Sequence, residues 1–137
     1  MKSTFDVLDK IYPVVNVASV RSTLNTGGKV YRNARPVNSD YRDIVVLVLP
    51  IACGTDIDLQ SCVIIINCFA KDIEPGIPDD KNLDAMTTAV LTVLEAYAST
   101  TTYFDMEITS QGVMEDMDKP DTSYSSIRVN CTIQYET

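Results

Sequence analysis

The chain has 137 residues, 45% of them apolar and 22% charged, with 11 basic against 19 acidic side chains and a net charge of −8. That length suits one domain (1–137) with its own core, and no apolar run reaches the roughly 20 residues of a membrane helix. The acidic balance and the lack of a Lys/Arg cluster argue against DNA binding through phosphate contacts, while an acidic wall that repels DNA stays open.

The N-terminal stretch carries Asp6 and Asp9 and lacks the apolar core of a signal peptide, so folding in a cytoplasm is expected. Ser3 with Asp6 three residues on resembles a capping box. Phe5, Leu8, Ile11 and Tyr12 follow at helical spacing. Pro13 cannot continue the interior hydrogen-bond ladder. Val14, Val17, Val20 and Leu24 then read either as a kinked continuation or as a second short helix. Asn25-Thr26-Gly27-Gly28 ends that region.

Lys29 to Arg35 predicts a short strand stopped by Pro36, and Ile44 to Leu49 a second strand closed by Pro50. A loop holding Gly54, Asp56 and Asp58 separates it from Gln60 to Ala70. In that third strand, Cys62-Val63-Ile64-Ile65-Ile66-Asn67-Cys68-Phe69 is so rich in apolar and β-branched residues that burial on both faces, or nearly so, is expected. The Ile44 and Gln60 runs are the natural partners of an antiparallel hairpin. On this reading Ile65→Asp puts a charge in the core and prevents folding.

Pro75, Gly76 and Pro78 break the chain, and Asp79, Asp80 or Asn82 can cap the next helix. Leu83, Met86, Val90, Val93/Leu94 and Tyr97 give it one apolar stripe, assisted by Ala85, Ala89 and Ala96. Tyr103 to Gly112 reads as a strand. Gly112 to Ser123 reads as a long polar loop that also holds methionines. Val113, Met114, Glu115, Asp116, Met117 and Asp118 are its candidate docking arm, because long loops inside compact domains are usually functional or disordered. The last strand alternates cleanly: Ile127, Val129, Cys131, Ile133 and Tyr135 face one way. Arg128, Asn130, Thr132 and Gln134 face the other, polar yet nearly uncharged, and form a candidate subunit-interface surface.

The expected fold is therefore α+β, a mainly antiparallel sheet with helices packed on one face, in the order α-(α)-β-β-β-α-β-β. Catalytic patterns are sparse. The chain has no His, which excludes Ser-His-Asp and Cys-His mechanisms, and it has no phosphate-binding glycine loop. Cys53, Cys62, Cys68 and Cys131 form no C-x-x-C pair, so they read as reduced, buried small hydrophobes and not as zinc ligands. Asp56/Asp58, Asp79/Asp80 and Glu115/Asp116/Asp118 match no calcium-loop pattern and read as solvated or capping carboxylates. The seven tyrosines suit interfaces and core rims equally.

Several phrases nevertheless resemble a known group: Gly28-Lys29-Val30-Tyr31-Arg32 leading to Arg35-Pro36, Asp43-Ile44-Val45-Val46, Val63 to Phe69, the helix from Leu83 to Tyr97, and Tyr124 to Tyr135. Together they are similar to the tail-completion or tail-terminator proteins of tailed bacteriophages, which form a ring where the tail joins the head. The resemblance implies a structural virion protein with no enzyme activity and no cofactor, assembled in the host cytoplasm as a homo-oligomeric ring, usually a hexamer. The implied partners are the tail tube protein and a neck, connector or portal-associated protein. DNA passes through such a ring without specific binding, and no membrane is involved. A head-completion or stopper protein is the neighbouring alternative, and a small carboxylate- or metal-dependent enzyme the more distant one.

Overall fold

The computed structural model describes residues 2–53 and 60–134. Helix α1 (Thr4–Val15) opens on the expected capping box: the Ser3 hydroxyl accepts the Asp6 N–H at 3.2 Å, and the Asp6 carboxylate accepts the Ser3 N–H at 2.8 Å. The helix runs through Pro13, three residues before the cap at Asn16. So late in the helix, the missing N–H removes a single bond of the final turn. A second short helix, α2 (Ala18–Arg21), follows, so the chain takes both the continuation and the second helix. Gly27 then adopts φ +96°, and a Cβ on Gly28 would lie 2.1 Å from the Arg42 carbonyl oxygen. No side chain fits there, and the turn leads directly into the sheet.

The strands are β1 (Val30–Arg32), β2 (Asp43–Val48), β3 (Ala52–Cys53), β4 (Gln60–Lys71), β5 (Phe104–Glu115) and β6 (Thr122–Ile133). They lie in the order β1-β2-β4-β6-β5, with β3 also paired to β4. The β1–β2 pair is parallel and the others antiparallel, so the mainly antiparallel α+β architecture holds. The β2–β4 hairpin forms as expected, with Ile44 opposite Cys68 and Val48 opposite Ile64. β1 is shorter than the Lys29–Arg35 expectation because Asn33 turns into the left-handed region at φ 68°. β3 falls within what reads as loop; Gly54, Asp56, Asp58 and Tyr135 lie outside the described residues.

Helix α3 (Asp80–Thr100) is capped by Asp79, whose carboxylate accepts the Asn82 N–H at 3.4 Å. It buries Leu83, Met86, Val90 and Leu94, the expected stripe, but Ala85 and Ala96 are exposed. α1 packs on β1 and β2, and α3 on β4, β5 and β6, so one face of the sheet carries the core. A single cluster joins Val7, Leu8, Ile11 and Val15 of α1 to Ile64, Ile66 and Cys68 of β4 and Ile127, Val129 and Cys131 of β6.

The central strand departs from the reading of its composition. Along β4 the even-numbered residues from Gln60 to Ala70 are buried, while Val63, Ile65, Asn67 and Phe69 are only half-buried. Burial on both faces is thus corrected to burial on one. The odd-numbered side chains point to a sheet face that no helix covers among the described residues.

Candidate assembly surface

The helix-free face is built by the pleat. Side chains directly opposite in an antiparallel ladder share a face. The register therefore places Leu47 beside Ile65 and Ile65 beside Arg128, then Val63 beside Asn130 and Phe69 beside Tyr124. Asp43 and Val45 of β2 belong to the same face and are buried, under the 33–42 connection between β1 and β2.

Arg35 holds that connection down. Its guanidinium lies over the Phe69 ring, 4.0 Å from the centroid, and Phe69 in turn meets Tyr124 at 5.1 Å between centroids. Arg35 also approaches the Asp43 carboxylate at 3.4 Å and Asp116 at 3.6 Å. Asp43 is fully buried but well supplied, accepting the Lys29 N–H at 3.0 Å and the Ser39 hydroxyl. A buried carboxylate is stable only when its lone pairs and charge are met in this way. Sequence reasoning missed this cluster. Its signal was a charged residue, Asp43, opening an otherwise apolar strand.

The four strand-face candidates differ in exposure. Arg128, Asn130 and Gln134 are exposed and Thr132 is half-buried. Arg128, Asn130 and Thr132 line a shallow cavity of about 440 Å³ with Ser61, Asp105 and Glu107, but Gln134 is not part of it. Arg128 makes no salt bridge among the described residues. A second cavity of about 350 Å³ lies beneath the 33–37 segment, with Leu47, Asn67, Phe69 and Tyr124 in its lining. The buried Asn67 Oδ1 has no hydrogen-bond partner among the described residues.

The docking-arm candidates need correction. Val113, Met114 and Glu115 are not loop but the end of β5, paired with Ser125, Tyr124 and Ser123 of β6. The backbone ladder of a long hairpin carries this polar stretch, overriding the weak strand preference of its side chains. The turn spans only residues 116–121. It is tied back by the Arg35–Asp116 contact and by Lys119–Asp40 at 3.1 Å. Lys119 correspondingly holds the Asp40 carboxyl below its usual range, mainly through their hydrogen bond.

The six arm residues therefore do not share one surface. Val113 lies on the helix side, beside Asp80, Leu83 and Asp84 of α3. Met114 lies on the other face, where its Sδ accepts the Tyr124 hydroxyl at 3.8 Å. Asp116 is drawn under Arg35. Met117 and Asp118 project, with Met117 89% exposed.

The thiols of Cys62, Cys68 and Cys131 sit as small core groups. Cys62 and Cys131 face each other across β4 and β6, where a hydrogen bond between them lowers the Cys62 pKa and raises that of Cys131. Burial pushes the Cys68 thiol up to about 12. No group of three or more metal-ligating side chains gathers among the described residues. No helix there is long and apolar enough to cross a membrane. No family model matches the chain, and no curated protein does.

Proposed function

We propose that the chain is a structural subunit of a tailed-phage particle, a tail-terminator or tail-completion protein that forms a ring between the tail tube and the head connector. The observation that carries this reading is the helix-free face of the sheet. It presents half-buried Leu47, Val63 and Ile65 next to exposed Arg128 and Asn130. Mixed apolar and polar surface of this kind suits contacts between subunits, whose cores are apolar and rims polar. Heterologous contacts between identical subunits close into rings when the rotation allows it. The net charge of −8 suits a channel through which DNA slides without sticking. The resemblance over Gly28–Pro36, Val63–Phe69 and Tyr124–Tyr135 supplies the particular class, its hexameric habit and its virion location.

Electron microscopy of the purified protein and of particles tests the reading. Rings of the free protein, and label at the head–tail joint, are the expected result. A chain that stays monomeric at high concentration and is absent from particles overturns it.

A further inference from the structure

The two outer edges of the sheet differ. β1 is three residues long, and its carbonyls are engaged from within: Val30 accepts the Tyr12 hydroxyl at 2.9 Å, and Arg32 accepts the Ala34 N–H at 2.8 Å. β5 runs for twelve residues at the opposite rim, and no strand lies beyond it among the described residues. The outward N–H and C=O groups of such a strand are a template for another one. Edges guarded against pairing carry charges, Lys above all, or Pro or a bulge; Phe104–Glu115 has no Lys or Pro, and its charges are all acidic, Asp105, Glu107 and Glu115.

A bulge between Ile108 and Ser110 divides this edge. The regular segment before it, Phe104–Ile108, sorts its side chains by polarity. Phe104 is buried, and Met106 and Ile108 pack partly buried against the core. Asp105 and Glu107 are exposed on the other face, with no salt bridge among the described residues. Tyr97 of α3 packs edge-on against Phe104 at 6.4 Å and stands partly open above the same rim.

We infer that the Phe104–Ile108 edge of β5 takes up an extended segment of a partner protein in which basic and apolar residues alternate. Main-chain hydrogen bonds supply the pairing, and alternate side chains supply the selection. The apolar residues of the segment continue the layer of Met106 and Ile108. Its Lys or Arg residues stand beside Asp105 and Glu107, where opposite charges on neighbouring strands stabilise and like charges do not. A second copy of this chain is disfavoured as the occupant, since pairing two β5 edges brings the carboxylates of both into one row, and the β1 edge is closed. The inference goes beyond the ring reading and does not depend on it.

The test is titration of the full chain with a ten-residue synthetic peptide alternating Lys and Val. Amide hydrogen exchange across Phe104–Glu115 is followed, and the oligomeric state is read on the same sample. Slowed exchange confined to Phe104–Ile108, weakening as salt rises, is the expected result. A Glu/Val peptide is expected to bind at least about fivefold more weakly. The charge reversal D105K/E107K is expected to invert that preference. If the doubly substituted chain fails to fold, Glu107→Gln carries the comparison through a smaller loss. The inference is overturned if the basic peptide leaves these amides unprotected, if both peptides bind alike, or if the peptide-free chain protects the same edge by self-association.

Discussion

The Arg35 guanidinium lies 4.0 Å from the centre of the Phe69 ring, on the sheet face that carries no helix among the described residues. The same group approaches Asp43 and Asp116, so one side chain joins the 33–42 connection, the central strand and the β5–β6 turn. Only 9% of that side chain is exposed, so neither the ring contact nor the ion pairs are fully screened. Arg35→Ala is expected to cost about 2–4 kcal/mol, because buried Asp43 then keeps only its Lys29 and Ser39 partners. Arg35→Lys keeps the charge but loses the flat stacking group, and should fall between the two. Urea denaturation midpoints check the order; an alanine variant as stable as the parent chain refutes it.

A second coupling ties α3 to the sheet. The Thr87 hydroxyl donates to the Ser125 hydroxyl at 2.6 Å inside the core, and Gln111 donates to the same oxygen at 2.9 Å. Ser125→Ala leaves a buried hydroxyl without its acceptor and is expected to destabilise by about 1–3 kcal/mol. Thr87→Val alone leaves Ser125 with Gln111 and should cost less. The double variant should be more stable than the sum of the two losses allows, since both polar groups are then gone. A double-mutant cycle by denaturation measures that difference.

Cys68 supplies one part of the pH dependence at the alkaline end. Unfolded, its thiol ionises near 9; in the fold, burial holds the proton until about 12. Between those values the unfolded chain binds fewer protons than the folded one, so stability falls as pH rises. Its contribution is fully present below pH 9 and is lost progressively towards pH 12. Cys68→Ala should lower stability at neutral pH through the cavity it leaves, yet flatten this part of the profile. Melting curves across that range, on both chains, give the answer.

The same residues show what was legible in the sequence. The last strand was readable because its dry face is Ile127, Val129, Cys131 and Ile133 and its wet face polar, so the period of two is visible. β4 hid the same period. Val63 and Ile65 on its free face are as apolar as Ile64 and Ile66 on its covered face, and composition alone then reads as burial on both sides. The end of β5 was hidden for the opposite reason: Gly112 and Glu115 have little strand preference, and the ladder to β6 decides their conformation. The Arg35 cluster left only Asp43 as a sign in the sequence, because its partners at 69 and 116 meet it only once the sheet has formed.

Met114 and Met117 separate folding from docking. Both are exposed, at 48% and 89%, and neither belongs to the core cluster. Replacing both by Ser should leave the melting temperature of the monomer within about 2 °C, as surface changes usually do. Under the proposed function it should reduce incorporation into particles. A clear fall in melting temperature would instead assign these methionines to the fold.

Ile65 and Ile66 are neighbours in the chain with opposite duties. Ile66 is fully buried in the core between Val46 and Ile127. Ile66→Asp places a carboxylate there without a partner, a change that costs more than a domain of this size can withstand. Ile65 is half-buried on the free face, between Leu47 and Arg128. A carboxylate at 65 stays in reach of water and of the Arg128 guanidinium. Ile65→Asp is thus expected to leave a folded monomer, not the unfolded chain that the composition of the strand suggested. If the free face is where ring subunits meet, that folded monomer should no longer assemble, because the new charge must be buried at each contact. Circular dichroism and light scattering on the two variants decide the matter. A folded Ile65→Asp chain that still forms rings removes this face from the interface, and an unfolded one returns Ile65 to the core.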